Sequence, residues 1–344
     1  MYKLFLCGRY LTTRPIGLVS IISVMLGVGV MIIVNSIMGG FHAKTRERLH
    51  GILADIIVES TTMDGFSDPV GVMHRIEELV GDKVVAMAPD VEVFAMLHYQ
   101  NQGRGRHLTR PIRLVGILPE GRAAVGEFKN HLLDPENQKN PSFNITKAAQ
   151  TWRDEHPEYL VPDTPTPPGA IVGYQIATFR GRGMSSDQFM ISPGQEIIVT
   201  TVTTGKPQPT DARFTVTDFF KCDMSEYDSN YVFVPIETLQ RLRGMNDAVS
   251  SIQIKLKDYA DAPLIVETLQ SALPRAYFQV DTWEDKQGPL LQAVKVEVFL
   301  LNLILFFIIA VAGFGILAIF FMIVVEKTHD IGTLKALGRL PIRE

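Results

Sequence analysis

Two long apolar runs bracket a mostly polar interior, and this alternation predicts the largest elements of the chain. Residues 299–325 hold Asn302 as their one strongly polar side chain. At 1.5 Å per residue the run is about 40 Å long, enough to cross a bilayer core of roughly 30 Å with tilt. Residues 16–38 are less apolar, with Ser20, Ser23, Asn35 and Ser36 among the aliphatics, but are still long enough to span. Small residues allow close helix approach, so Ser20, Ser23 and Gly27 are predicted to pack against a neighbouring helix. Glycine and serine are also frequent in membrane helices generally, which leaves a plain lipid-facing role as the other reading. The first run is long for a signal peptide and shows no small-x-small cleavage site before a polar start, so it reads as an uncleaved span.

Charge orients these spans. Lys3, Arg9 and Arg14 precede the first, and Lys327, Lys335, Arg339 and Arg343 follow the second, which places both ends in the cytoplasm and the interior outside. Lys44, Arg46 and Arg48 sit just past the first span on the outer side and are accommodated if that helix continues as a stalk. Cys7 then lies inside and Cys222 outside, so no disulfide forms within the chain. Cys222, if exposed, is expected to take an impermeant thiol reagent from outside, and Cys7 only after lysis.

Between the spans, residues 54–58, 91–99, 112–117, 196–202, 213–219, 231–234 and 251–256 are rich in β-branched and aromatic positions and predict strands. Helical spacing predicts helices over 71–80, 235–243 and 262–273, and from Trp283 into the second span. The two kinds are interspersed too irregularly for a doubly wound sheet. Residues 133–168 are polar, contain seven prolines, and predict an extended loop or insertion. Gly205, Lys206, Pro207 and Pro209, between two predicted strands, mark a projecting hairpin loop or an ordinary exposed turn.

Beyond the second span, Ile331, Leu334 and Leu337 recur three apart, while Glu326, Lys327, Asp330 and Lys335 fall elsewhere. That stripe either seats in a groove of a cytosolic partner or lies in the lipid headgroups. The expected fold class is therefore an α+β membrane protein. Two long transmembrane helices (16–40 and 299–325) flank a large mixed α/β extracytoplasmic domain (41–298), and a short cytoplasmic helix follows within 326–344.

Composition adds exclusions. A hydrophobic fraction of 46% and a net charge of −4 describe an average globular protein, because the polar interior dilutes the two spans. There is no basic field for nucleic acid. No Gly-x-x-x-x-Gly-Lys-[Ser/Thr] loop is present, so ATP binding in the P-loop manner is excluded for these residues. The eight histidines show no metal-ligand spacing. Asp223, Glu226, Asp228 and Asn230 suggest a calcium loop but lack its central glycine and terminal glutamate, and read as a solvated turn. Neither a catalytic residue nor a metal site is predicted.

Several motifs carry a family resemblance across nearly the whole chain. Arg9-Tyr10-Leu11 leading to Ser36-Ile37-Met38-Gly39-Gly40-Phe41, then Val115-Gly116-Ile117-Leu118-Pro119-Glu120 and Met224-Ser225-Glu226-Tyr227-Asp228-Ser229, resemble permease subunits of bacterial lipoprotein-releasing ABC transporters. Trp283-Glu284-Asp285 resembles that family's helix into the second span. Glu326-Lys327 with Asp330-Ile331-Gly332-Thr333-Leu334-Lys335-Ala336-Leu337-Gly338 is similar to the coupling helix of the wider FtsX-like and MacB-like superfamily.

The resemblance implies a multi-pass protein of the bacterial inner membrane, with its large domain in the periplasm and no chemistry of its own. A separate ABC ATPase dimer would bind ATP and magnesium and move the coupling helix. A second permease subunit, an acylated protein substrate and a soluble carrier met at the 205–209 loop would complete the system. Family permeases have four spans, so two further apolar stretches are expected downstream, in the same frame or in a companion polypeptide. MacB-like or FtsX-like mechanical work on another partner, and a two-span receptor without an ATPase, are the alternatives.

Overall fold

A computed structural model describes residues 15–100, 107–160, 165–180, 187–205 and 207–337. The chain divides into a core unit, Glu47–Gln287, and a second unit made of the segments on either side of it.

The core unit begins in the last turn of helix α1 (Pro15–Ile52) and continues with β1 (Ile56–Ser60), α2 (Pro69–Val80), β2 (Val84–Gln100) and β3 (His107–Ile117). Then come α3 (Pro119–Val125), α4 (Pro135–Lys139), α5 (Lys147–Glu155), β4 (Gly169–Gly173), α6 (Tyr174–Ala177), β5 (Thr178–Phe179) and β6 (Gln188–Phe189). The unit closes with β7 (Glu196–Val202), β8 (Pro209–Phe220), α7 (Ser225–Asp228), β9 (Tyr231–Pro235), α8 (Ile236–Arg243), β10 (Ser251–Leu256), α9 (Ala262–Ala272), β11 (Phe278–Thr282) and α10 (Trp283–Lys286).

Nine strands form one mixed sheet in the order β11-β1-β10-β2-β3-β9-β4-β8-β7. β2 is long enough to serve two neighbours in succession. Its first half pairs with β10, and Met96, Leu97 and His98 pair with Thr200, Val199 and Ile198 of β7. The second pairing joins β7 back to β2 and closes six strands into a ring, which removes their free edges. His98 fastens the closure: its Nδ1 lies 2.9 Å from Thr109 Oγ1 on β3 and its Nε2 3.0 Å from Thr200 Oγ1 on β7.

Strand alternation decides what is buried. On β2, Val91, Val93, Ala95, Leu97 and Tyr99 face a continuous core with Leu114, Phe214 and Leu239, while Glu92, Phe94 and Met96 point to solvent. Helix α8 sits so close to β3 that a Cβ at Gly116 would lie 3.1 Å from Ile236 Cα, a crowded contact that glycine avoids.

The strands predicted over 196–202 and 251–256 are found as β7 and β10, whereas β4 and β11 were not predicted. Residues 133–168 are not simply an extended loop, because α4 and α5 lie within them. Asp134 and Thr146 cap these helices, accepting from Glu136 N at 2.8 Å and Ala149 N at 3.4 Å. Pro135 stands at a helix start, where proline is tolerated. Asn137 is buried and donates to Asp218 Oδ2 at 3.1 Å, which ties the segment to β8.

The second unit contains most of α1, a helix of 38 residues, and α11 (Gly288–Ala336) of 49 residues. Both are long and apolar enough to cross a membrane. The short separate helix expected after residue 325 is instead the unbroken end of α11. No proline interrupts it, Thr328 and Thr333 hydroxyls donate back to the Val324 and His329 carbonyls at 2.7 and 3.1 Å, and Lys327 pairs with Asp330 at 2.9 Å.

Candidate functional site

A carboxylate inside an apolar run must find partners. Asp55 follows Leu53 and Ala54, and its side chain is 2% exposed. Its Oδ1 accepts from His50 Nε2 at 2.6 Å and Lys255 Nζ at 3.1 Å, and its Oδ2 from Leu256 N at 2.8 Å. Its backbone donates to the Ile254 carbonyl at 3.0 Å and accepts from Trp283 N at 3.3 Å. The His50 ring stacks on the Trp283 indole, with centroids 5.7 Å apart and planes 14° apart. Trp283 is fully buried and opens α10, whose first turn is held by a reciprocal cap between Thr282 and Asp285.

One carboxylate thus ties together the last turn of α1, strand β10, and the start of the helical stretch that leads to α11. Other contacts within the core unit secure the same region. The C-terminal carbonyls of α1 would otherwise be orphaned, and Gly51 O accepts from Glu127 N at 2.7 Å while Ile52 O accepts from Arg122 Nη2 at 3.5 Å. Arg122 Nη1 also donates to buried Asp90 at 2.8 Å; burial raises that carboxyl to about 6 despite the neighbouring guanidinium. Gln287, the last residue of the core unit, donates to the Tyr227 hydroxyl at 3.2 Å. The arrangement is a clamp on both chain exits of the core unit.

The predicted coupling residues Glu326, Lys327, Asp330, Ile331, Leu334, Lys335, Ala336 and Leu337 all lie on the last turns of α11 or directly after them, and all are exposed. Gly338 lies outside the described residues. Ser20, Ser23 and Gly27 lie on α1, and among the described residues nothing comes within 4 Å of a Cβ built at Gly27.

The predicted hairpin joins β7 to β8. Gly205 has φ +79°, a left-handed conformation suited to glycine, and Pro207 and Pro209 are exposed; Lys206 lies outside the described residues. The root of the hairpin is held by Arg243, whose Nε donates to Val202 O at 3.1 Å and whose carbonyl accepts from Thr204 N at 2.8 Å.

Cys222 corrects an expectation. It is buried, its Sγ donates to Asp228 Oδ1 at 3.1 Å, and burial beside that carboxylate pushes the thiol well above its usual range. It is therefore closed to aqueous reagents. Asp228 and Asn230 of the suspected calcium turn are engaged with Cys222 and with Glu226 O. Among the described residues, no group of three or more His, Cys, Asp or Glu side chains is placed to hold a metal. A better topology probe is Met63, 91% exposed on the core unit. Met63→Cys, made with both native cysteines replaced by serine, should be labelled by an impermeant maleimide in intact spheroplasts. Labelling only after lysis would reverse the orientation drawn from the terminal charges.

The clamp was not read from the sequence. Its members are residues 50, 55, 255 and 283, and the one local signal was the lone Asp55 within the strand predicted over 54–58.

A family model described as the MacB-like periplasmic core domain matches residues 18–272. The lipoprotein-releasing system transmembrane protein LolC of Neisseria meningitidis serogroup B is 27% identical over 329 residues, covering 95% of this chain and 70% of that protein. LolC of Xylella fastidiosa is 26% identical over 332 residues, covering 95% and 69%. Among solved structures, the extracellular domain of the ABC-type transporter YknZ from Gram-positive bacteria aligns with 66% of this chain and 99% of its own, with 12% identity and a TM-score of 0.36.

Proposed function

The chain belongs to the family of the MacB-like periplasmic core domain, and from that membership we propose that it is the permease subunit of an ABC transporter that releases lipoproteins from the bacterial inner membrane. The observation that carries the cargo is the likeness to LolC, which extends over 95% of this chain. α1 and α11 span the bilayer, the core unit stands in the periplasm, and both termini are cytoplasmic. A separate ATPase dimer, holding ATP and magnesium, closes against the Ile331, Leu334 and Leu337 face. A second permease subunit completes the membrane assembly. The Asp55 clamp carries displacement of the helices into the nine-stranded sheet, and the Gly205 hairpin meets a soluble carrier that removes the acylated protein.

Reconstitution tests this reading. The chain, placed in proteoliposomes with its ATPase and companion permease, should transfer an acylated protein to the carrier on ATP addition and leave the unacylated form behind. Deleting residues 203–208 should abolish crosslinking to the carrier while ATPase binding persists. ATP-driven activity with equal handling of both protein forms would shift the assignment to mechanical work on a different partner.

A further inference from the structure

Where β2 passes from β10 to β7, the sheet leaves a notch, and the core unit carries a groove of about 410 Å³ there. That volume falls in the range of small-ligand sites. Side chains already engage the backbone edge of β2 in the notch, where Glu92 N donates to Ser250 Oγ at 3.2 Å and Phe94 O accepts from Thr201 Oγ1 at 3.1 Å. Strand addition is therefore not what the groove offers, and recognition must come from side chains.

Those side chains are of two kinds. Phe94 is 75% exposed, unusual for so large a ring on a strand whose alternate residues are buried, and Met63 and Val202 present further apolar surface to the groove. The Arg113 guanidinium lies 5.1 Å from the Phe94 ring centroid. Charge is unevenly matched. Arg113 pairs with Glu92 and Lys286 with Glu59, whereas among the described residues no carboxylate lies within ion-pair distance of Arg243. Asp64 acts on Arg243 only from further away, and partial burial disfavours its charge. One unmatched guanidinium at the end of an apolar trough fits one carboxylate in the planar, two-pronged manner that arginine favours. A phosphate would bring a second negative charge toward Glu59 and Glu92.

We propose that this groove binds an amphipathic carboxylate, with its head on Arg243 and its apolar body along Phe94 and Met63. Two sources share this chemistry, a free organic acid and the C-terminal carboxylate of a polypeptide ending in an apolar residue. The site is independent of which cargo the transporter moves.

The test uses the full chain in lipid nanodiscs with para-trifluoromethylphenylacetate as the probe, read by fluorine NMR against empty discs. Saturable binding is expected, weakened at least about tenfold in Arg243→Gln, consistent with loss of a charged hydrogen bond. Arg213→Gln, at an exposed position of β8 outside the groove, should bind as the unaltered chain does. Because Arg243 also braces the hairpin, Phe94→Ser serves as a second variant at an exposed position, with an expected loss of about threefold or more. Displacement by N-acetyl-leucyl-phenylalanine but not by hexanoate would assign the site to polypeptide C-termini, and displacement by hexanoate would assign it to free acids. No binding beyond the empty discs, or equal affinities in Arg243→Gln and Arg213→Gln, overturns the proposal.

Discussion

Asp55→Asn should leave the assembled transporter hydrolysing ATP while the cargo released per ATP falls by about tenfold, the change that a loss of roughly 1.4 kcal/mol in holding the clamp together would produce. Asparagine keeps the shape and one acceptor for Leu256 N, but it removes the charge shared by His50 and Lys255 and turns an amide donor toward donors. Hydrogen bonds to a charged group contribute about 1.5–3 kcal/mol, and the partly exposed Lys255 recovers some of that by rehydration, so a net cost of about 1–3 kcal/mol is expected. A domain stable by roughly 5–15 kcal/mol stays folded at that cost. Chemical denaturation should therefore show a modest loss of stability beside a disproportionate loss of coupling. Release per ATP equal to that of the unaltered chain would mean that movement enters the core unit by another route. Trp283→Ala gives the contrasting outcome: removing a fully buried indole costs about 3–5 kcal/mol and should lower stability and coupling together.

What could be read ahead of the structure follows from where the information sits. Spans and alternating strands are local patterns, so α1, α11, β7 and β10 were visible in windows of their own residues. β4 was not, because all five residues of Gly169-Ala170-Ile171-Val172-Gly173 are buried on both faces and show no period, and prolines precede them. Helices α4 and α5 were legible in principle from the caps Asp134 and Thr146, but the density of prolines around them suggested loop, although Pro135 marks a helix start. Ring closure depends on β2 meeting β7 across about a hundred intervening residues, a register that propensity does not encode. The clamp is hidden for the same reason. Asp55 announces only that something must meet it, and Lys255 and Trp283 answer from the far end of the domain.

The cytoplasmic end of α11 carries the other large effect. Since the helix runs unbroken from the apolar span through Ala336, its last turns move with the span as one rod, about 16 Å of it beyond Val325. Ile331, Leu334 and Leu337 form an exposed apolar stripe at the end of that rod, and Leu334 is 48% exposed. If the stripe seats in an ATPase groove, Leu334→Glu buries a charge in an apolar contact and should cost about 1–3 kcal/mol or more of binding. Co-purification with the ATPase should then fall by roughly 5-fold to more than 100-fold, with ATPase stimulation lost in parallel. At so exposed a position the substitution should leave α11 folded, and circular dichroism of the variant checks that directly. The headgroup-lying alternative predicts the reverse pattern: ATPase retention unchanged and only the membrane depth of the helix altered. A glutamate that leaves both co-purification and stimulation intact would remove the Ile331, Leu334 and Leu337 face from the coupling interface, and the search for that interface would have to begin again on the opposite face, around His329, Gly332 and Ala336.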